Sequence, residues 1–325
     1  MTEQANEPHI PVMLSEVIEC LSPKDGGIYV DGTFGAGGYT RAILDAANCH
    51  VIAIDRDRTA LDAAQSWASE YEGRLDLVHG EFGSVQEHVR ALGYDLVDGF
   101  VLDIGVSSMQ IDQPERGFSF RFDGPLDMRM DADIGQTAAD IVNEMDEGDL
   151  ADIIYKYGEE RMSRRIARAI VTARKEANIE TTSRLADIIR SVMPKKHDKI
   201  DPATRTFQAL RIFVNDELGE LERALEGSQE VLDENGRLVV VTFHSLEDRI
   251  VKKFLRDKSG QQESVSRHLP DLPSKKNATF RLENKKALES TKEENLKNPR
   301  ARSAKLRYAI KTHRSENAKM EVSGQ

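Results

Sequence analysis

The sequence predicts an α/β fold, a parallel sheet flanked by helices and interrupted by an all-helical insertion. Short apolar runs alternate with helical patterns through the first third of the chain. A glycine-rich turn follows the first of those runs. From Ala138 to Met193 apolar residues recur only at helical spacing. The domain organisation that follows is a ligand-binding domain whose first part covers residues 1–110, an inserted helical substrate-recognition domain over 111–205, and the second part of the first domain over 206–325.

The first strand, Ile28-Tyr29-Val30, ends at Asp31 and is followed by Gly32, Gly35, Gly37 and Gly38 before a helical pattern through Ala42, Ile43 and Leu44. Glycine is needed where a chain turns with positive φ or where its backbone must approach a ligand closely. A dinucleotide fingerprint asks for three glycines as G-x-G-x-x-G, and here Thr40 stands in the third place, which disfavours NAD. An acidic strand end followed by a G-x-G turn is instead the pattern of S-adenosylmethionine (SAM) enzymes. The second strand, Val51 to Ile54, ends in Asp55, placed to accept bonds from ribose hydroxyls. Further strands over Leu75–Val78 and Gly99–Leu102 put Glu81, Phe82 and Asp103 at the same carboxyl edge, and a helix is expected over Ala60–Trp67.

Composition narrows the class. With 325 residues, 39% hydrophobic and 31% charged, the chain is long enough for a large core and ordinary for a soluble enzyme. No apolar run approaches membrane-spanning length and the amino terminus lacks a signal-type apolar core, so a cytoplasmic protein without membrane association is expected. Cys20 and Cys49 have no metal-type spacing and the histidines are scattered, so neither a disulfide framework nor a metal site is expected. The net charge of −11 hides local basic segments: Arg161, Arg164, Arg165, Arg168, Arg174 and Lys175, then Lys195, Lys196, Lys199 and Arg205, then Arg300, Arg302, Lys305 and Arg307. Such faces suit selective RNA contact as well as they suit a solvated helix surface.

A lead-in helix is expected over His9–Leu21. Residues Gln110–Met130 read as a long loop walling cofactor from substrate, with Phe118, Phe120, Phe122 and the methionines as its apolar content. Asp201-Pro202 opens one long helix carrying Phe207, Leu210, Val214, Leu218, Leu221 and Leu225, and Asn235-Gly236 turns the chain into a strand over Arg237–Phe243. Ser245 and Asp248 fit a capping box for the next helix, while His244 at the strand end is a candidate to bond substrate, orient a base or serve structure alone. Asp257–Lys276 reads as an excursion, Phe280–Ala287 as a strand and Leu306–Ile310 as the last one. A late antiparallel hairpin on a parallel sheet suits a Rossmann-like class I SAM-dependent methyltransferase sheet, here with its inserted all-helical domain.

Assembled, these segments resemble the ribosomal small-subunit methyltransferase H family (RsmH, also called MraW) over nearly the whole chain. The resemblance rests on His9–Leu14, Asp31–Gly35, Ala53–Asp57, Leu102–Ser108, Glu115–Phe120, Gly124–Asp131, Tyr157–Arg161, Pro202–Leu210, Phe243–Arg249 and Asn298–Ser303. It implies SAM as cofactor, held by Gly37, Gly38, Tyr39, Asp55, Phe82, Asp103 and Gln110, and methyl transfer to N4 of a cytidine in the decoding region of 16S rRNA, with the small ribosomal subunit as partner. Tyr39 departs from the family pattern, which often has histidine, so a backbone contact is expected there rather than a side-chain one. Monomer and homodimer both stay open.

A cytosine amine shares its lone pair with the ring and must be aligned and helped to localise it, so positioning carries most of the rate. Many amino methyltransferases place Asp/Asn-Pro-Pro-aromatic after the fourth strand; here that place holds Asp103-Ile104-Gly105-Val106. Asp103 is therefore a candidate either to contact SAM or to accept a bond from the target amine, with His244 the second catalytic candidate. A SAM enzyme acting on a protein or small molecule, and a non-catalytic ribosome-assembly binder, are the competing classes.

Overall fold

The computed structural model describes residues 11–194, 201–260 and 278–312. They form two compact units, one taking in the described residues up to Gly105 and from Gly219 onward, the other Val106–Leu218. Among the described residues no helix is long and apolar enough to cross a membrane.

The first unit opens α1 (Leu14–Leu21), β1 (Ile28–Asp31), α2 (Gly38–Ala46), β2 (His50–Asp55), α3 (Arg58–Ala68), β3 (Leu75–His79), α4 (Val85–Ala91) and β4 (Val97–Asp103). The lead-in helix is shorter than its sequence pattern. Met13 is left-handed at φ 51° and starts α1 one residue later, while His9 and Ile10 lie outside the described residues. Strand and helix alternate because each apolar run, buried on both faces, needs a helix over each face.

The second unit is helical: α5 (Ser108–Asp112), α6 (Ala138–Glu144), α7 (Glu147–Gly158), α8 (Ser163–Arg174), α9 (Thr182–Val192) and α10 (Thr204–Val214). Ile141, Leu150, Ile154, Ile166, Ile170, Leu185, Ile189, Phe207 and Leu210 meet in its core. The segment expected to be a wall spends its apolar residues here. Leu126 and Met128 are fully buried in this core, Phe118 and Phe120 pack against it, Pro125 bridges Thr181, and only Phe122 of that aromatic set is strongly exposed. Lys195, Lys196 and Lys199 lie outside the described residues.

The long helix expected from Asp201 onward is two. α10 ends at Val214, Asp216 takes φ 47°, and α11 (Glu217–Val231) begins afresh. The break has a cause in the buried Asn215: its side chain accepts from the Met130 amide at 2.7 Å and donates to the carbonyls of Met128 at 2.8 Å and Arg211 at 2.9 Å. The Arg211 guanidinium meets both Glu217 oxygens, at 2.7 and 2.8 Å, across the same corner. A helix running straight through would leave these buried polar groups unpaired.

The chain continues in the first unit with β5 (Leu232–Thr242), α12 (Ser245–Lys258), β6 (Phe280–Arg281), β7 (Leu288–Glu289), α13 (Lys292–Lys297) and β8 (Lys305–Lys311). The turn expected at Asn235-Gly236 is an irregularity inside β5: Asn235 takes φ 68°, and pairing with β4 jumps from Val97↔Leu232 to Gly99↔Arg237. The strand expected over Phe280–Ala287 is confined to two residues, and most of the Asp257–Lys276 excursion lies outside the described residues.

The sheet order is β3-β2-β1-β4-β5-β8-β6, with β7 on the side of β8. The first five strands are parallel and β8 is antiparallel to β5 and β6, which is the Rossmann-like class I methyltransferase arrangement. Ile52, Ile54, Phe100, Leu102, Leu238 and Val240 form one continuous core with Val85 and Val89 of α4, Leu221 and Leu225 of α11, and Val251 and Leu255 of α12. The strand order reverses between β1 and β4, so a crevice opens beyond their carboxyl ends.

Replacing Asn215 by alanine should lower stability by about 2–3 kcal/mol in denaturant unfolding, because Met128, Met130 and Arg211 lose buried partners. A change within about 0.5 kcal/mol, the usual range for an inconsequential surface substitution, would contradict that reading of the corner.

Candidate functional site

Three carboxylates mark the carboxyl edge of the sheet: Asp31, Asp55 and Asp103 are the last residues of β1, β2 and β4. Asp31 is completely buried. Its oxygens accept from the Thr40 hydroxyl at 2.7 Å and the Thr33 amide at 3.2 Å, so the carboxylate ties the start of α2 back onto β1. Asp55 accepts from the Gly35 amide at 2.7 Å and the Asp57 amide at 2.8 Å, holding the glycine loop against the end of β2. Each oxygen keeps a further lone pair for a ligand donor.

The loop itself is shaped by exclusion. Gly37 has φ 76° and caps α2; a Cβ there would fall 2.5 Å from the Trp67 ring. Trp67 stacks on Phe34 with ring centroids 5.9 Å apart and carries the Arg41 guanidinium 4.0 Å above it. A Cβ on Gly38 would lie 2.2 Å from Pro11. Tyr39 is buried and its hydroxyl donates to the Val12 carbonyl, so its side chain is committed to the lead-in segment and only its backbone lies along the loop. Phe82 opens the turn after β3 and packs against the sheet core.

Asp103 differs from its neighbours. Its amide donates to the Thr33 hydroxyl at 2.6 Å, but its Oδ1 is covered and has no hydrogen-bond partner among the described residues. Burial first, then the negative charges of Asp31 and Glu247, pushes its carboxyl well above the usual carboxylate range. Burial likewise pushes Asp31 and Asp55 up to about 6, against the hydrogen bonds that favour their ionised forms. A buried acceptor without a donor, beside a loop that excludes side chains, fits a ligand rich in N–H and O–H donors, and a cationic one above all.

His244 lies on the same edge, after β5, and corrects the capping assignment. The box that opens α12 is His244 with Glu247, not Ser245 with Asp248. Glu247 Oε2 accepts from the amides of Phe243 at 2.8 Å and His244 at 3.2 Å. His244 Nε2 stands 2.7 Å from Glu247 Oε1, close enough for an ion contact but off the line that a hydrogen bond requires. Asp248 instead binds Arg307 at 2.7 Å and Lys305 at 3.6 Å, which takes Arg307 out of the basic surface and leaves Lys305 partly exposed.

Gln110 belongs to the helical unit. There its side chain accepts from the Ser107 amide at 3.1 Å and its own amide donates to the Ser107 hydroxyl at 3.2 Å, a reciprocal cap on α5. On α8 the residues Arg164, Arg165 and Arg168 are exposed opposite the buried Ile166 and Ile170, with Arg161 and Lys175 exposed at its ends. Arg174 is no part of that face, because it donates to the carbonyls of Val142 at 3.0 Å and Met145 at 2.7 Å. In the sheet unit Arg302 is exposed in the turn over Pro299–Ser303. Thr33 and Glu247 were not singled out by sequence, and Thr40 was noted only as standing in the place of the fingerprint's third glycine, without the role in holding Asp31 that it has here.

Asp31 gives a test of the edge electrostatics. Its folded value near 6 lies above that of an unfolded aspartate, so its protonation stabilises the cofactor-free fold at low pH, and this contribution is lost as pH rises through about 6. Asp31→Asn should therefore raise the melting temperature relative to the native protein more at pH 8 than at pH 5, and an offset independent of pH would contradict the assignment.

The sequence matches the family described as the MraW methylase family over residues 6–312. It is 57% identical over 311 residues to the ribosomal RNA small subunit methyltransferase H of Parvibaculum lavamentivorans, covering 95% of this chain and 91% of that one. The protein of the same name from Paramagnetospirillum magneticum is 57% identical over 307 residues, covering 94% and 96%, and that from Rhodospirillum centenum 58% over 304 residues, covering 94% and 92%.

Proposed function

The chain belongs to the MraW methylase family, whose cofactor is S-adenosylmethionine, and from that premise we propose that it methylates N4 of a specific cytidine in the decoding region of 16S rRNA. The observation that carries the choice of an amine is the buried, partnerless Oδ1 of Asp103. An acceptor in that state suits an N–H donor that must later give up its proton.

Gly37, Gly38 and the backbone of Tyr39 would hold the cofactor on the glycine loop, with Asp55 taking its hydroxyls and Phe82 its apolar side. When bound, S-adenosylmethionine supplies an activated methyl group whose bond to sulfur breaks with the electron pair left on sulfur. The rest falls to the chain. Asp103 accepts a hydrogen bond from the cytosine amine, which draws the nitrogen lone pair out of conjugation with the ring and turns it toward the methyl group. As the N4–C bond forms, the amine proton passes to the Asp103 carboxylate. Alignment supplies most of the acceleration, and general-base help of this kind is worth roughly 10²–10⁴-fold.

The exposed arginines of α8 suit phosphate contact, and the target base must be unstacked to reach any such acceptor. Their companions Arg174 and Arg307 are given to structure, so the proposed phosphate contacts on the helical unit are Arg161, Arg164, Arg165, Arg168 and Lys175, and Arg302 is proposed separately on the sheet unit. The setting is the cytoplasm, where small ribosomal subunits are found.

The experiment compares small-subunit rRNA from cells with and without the protein, digested and read by mass spectrometry for methylated cytidines. One N4-methyl signal should vanish from a decoding-region nucleotide and return with the native protein, but not with Asp55→Ala, and at no more than about a tenth of the level with Arg164, Arg165 and Arg168 all changed to Glu. An unchanged digest would transfer the assignment to a protein or small-molecule substrate.

A further inference from the structure

Among the described residues, three buried side-chain atoms without an aligned partner belong to one edge of the sheet: Asp103 Oδ1, His244 Nε2 and Glu247 Oε1. His244 Nε2 and Glu247 Oε1 face each other at 2.7 Å, so Asp103 Oδ1 is the one with no facing partner, and a buried acceptor so left calls for a cause beyond packing. β4 and β5 run side by side, with Asp103 in register with Val241 and the Ile104 amide donating to the Val241 carbonyl at 2.9 Å. The turn that follows β5 therefore sits next to the end of β4, and Glu247, wholly buried at the third position of α12, belongs to that turn.

The carboxylate of Glu247 is fixed there. One oxygen is held by two backbone amides and the other faces the His244 ring. The nearby cations Arg307 and Lys305 are bound to Asp248, and the basic group at Glu247 is the His244 ring. An ordinary N-terminal cap does not need complete burial, nor does it need to lie beside a second buried carboxyl.

Resting on the N4-amine reading above, we propose that Glu247 is a positioning residue for the reaction, its fixed negative charge making Asp103 a stronger acceptor for the proton that the amine must lose. A carboxylate of ordinary basicity is a weak base toward an amine. Burial and two like-charged neighbours, Asp31 on β1 and Glu247 on the turn after β5, act on Asp103 in the same direction. The other ionisable groups at this edge are Asp55 at the end of β2, Tyr39 from α2, a phenol raised by burial, and His244, whose ring is engaged by Glu247 itself. Of the two like-charged neighbours Asp31 also anchors the glycine loop, whereas Glu247 can be neutralised without removing a cap, because glutamine serves equally well at that position. Proton balance is complete: N4 loses one proton, Asp103 gains it, and solvent takes it after product leaves.

The test uses the full-length enzyme, S-adenosylmethionine and small ribosomal subunits from cells lacking the protein, reading N4-methylcytidine against pH. Glu247→Gln should move the acidic limb of the kcat profile down by about one pH unit and lower the plateau by roughly threefold to tenfold, with KM for the cofactor within about twofold. Glu247→Asp, which keeps the charge, should return the limb toward its native position. A second readout needs no turnover: the pH at which the infrared carboxylic-acid band of Asp103 is lost, assigned by difference from Asp103→Asn in cofactor-free protein, should lie lower in Glu247→Gln than in the native enzyme. If Glu247→Gln does not fold, a native Asp103 whose acid band is lost within the usual carboxylate range overturns the proposal by itself. Native enzyme that makes N4-methylcytidine, with limb and band unmoved by Glu247→Gln, overturns this proposal alone. Native enzyme that methylates another atom overturns the N4 reading and takes this one with it.

Discussion

The fold around the site depends on one buried polar contact, the Asp31 carboxyl held by the Thr40 hydroxyl and the Thr33 amide. It fixes where β1 stops and where α2 starts, and thereby the path of the glycine loop between them. The loop is then closed from the other side by the Gly35 amide on Asp55, and supported from below by Phe34 on Trp67. Thr33 also reaches across to the Asp103 amide, so the ends of β1, β2 and β4 are joined through a few short polar bonds. Each is made by a residue that is itself shielded from water, where such bonds are strong and their absence costly.

Shielding has a second consequence. Carboxylates collected at the switch point of a parallel sheet cannot all be ionised at low cost when nothing positive stands among them. In this chain the nearby cations are few: Arg56, paired with Glu81, offsets Asp55 only in part, and Arg307 and Lys305 pair with Asp248. The edge is left with unsatisfied negative potential and with Oδ1 of Asp103 lacking a donor. A cationic cofactor relieves both conditions at once, which agrees with membership of a family whose cofactor is S-adenosylmethionine.

Much of this was legible in the sequence because its causes are local. The period of the apolar runs dictates strand or helix, and a strand that ends in Asp before glycines names its own turn, so Asp31, Asp55, Asp103 and the glycine loop were placed correctly on the sheet edge. What stayed illegible depends on distant partners. The interruption between α10 and α11 lies in a perfectly periodic apolar pattern, and only the bonds from Asn215 to Met128 and Met130 explain it. Arg174 and Arg307 look like the arginines around them, yet carbonyls in one case and Asp248 in the other remove them from the surface. The His244 cap was missed for a different reason: histidine is an uncommon residue at that position, so Ser245 one step later was the better match to the usual pattern.

The central claim is that the sheet edge stores protons which a cationic cofactor displaces. Calorimetric titration of S-adenosylmethionine into the cofactor-free protein, repeated at pH 6 to 7 in buffers of different ionisation enthalpy, measures that exchange directly. The account predicts net proton release on binding, because Asp31 and Asp55 with values near 6, and Asp103 held well above the usual carboxylate range, ionise against the incoming charge. Binding that releases no protons, or that takes them up, would contradict it.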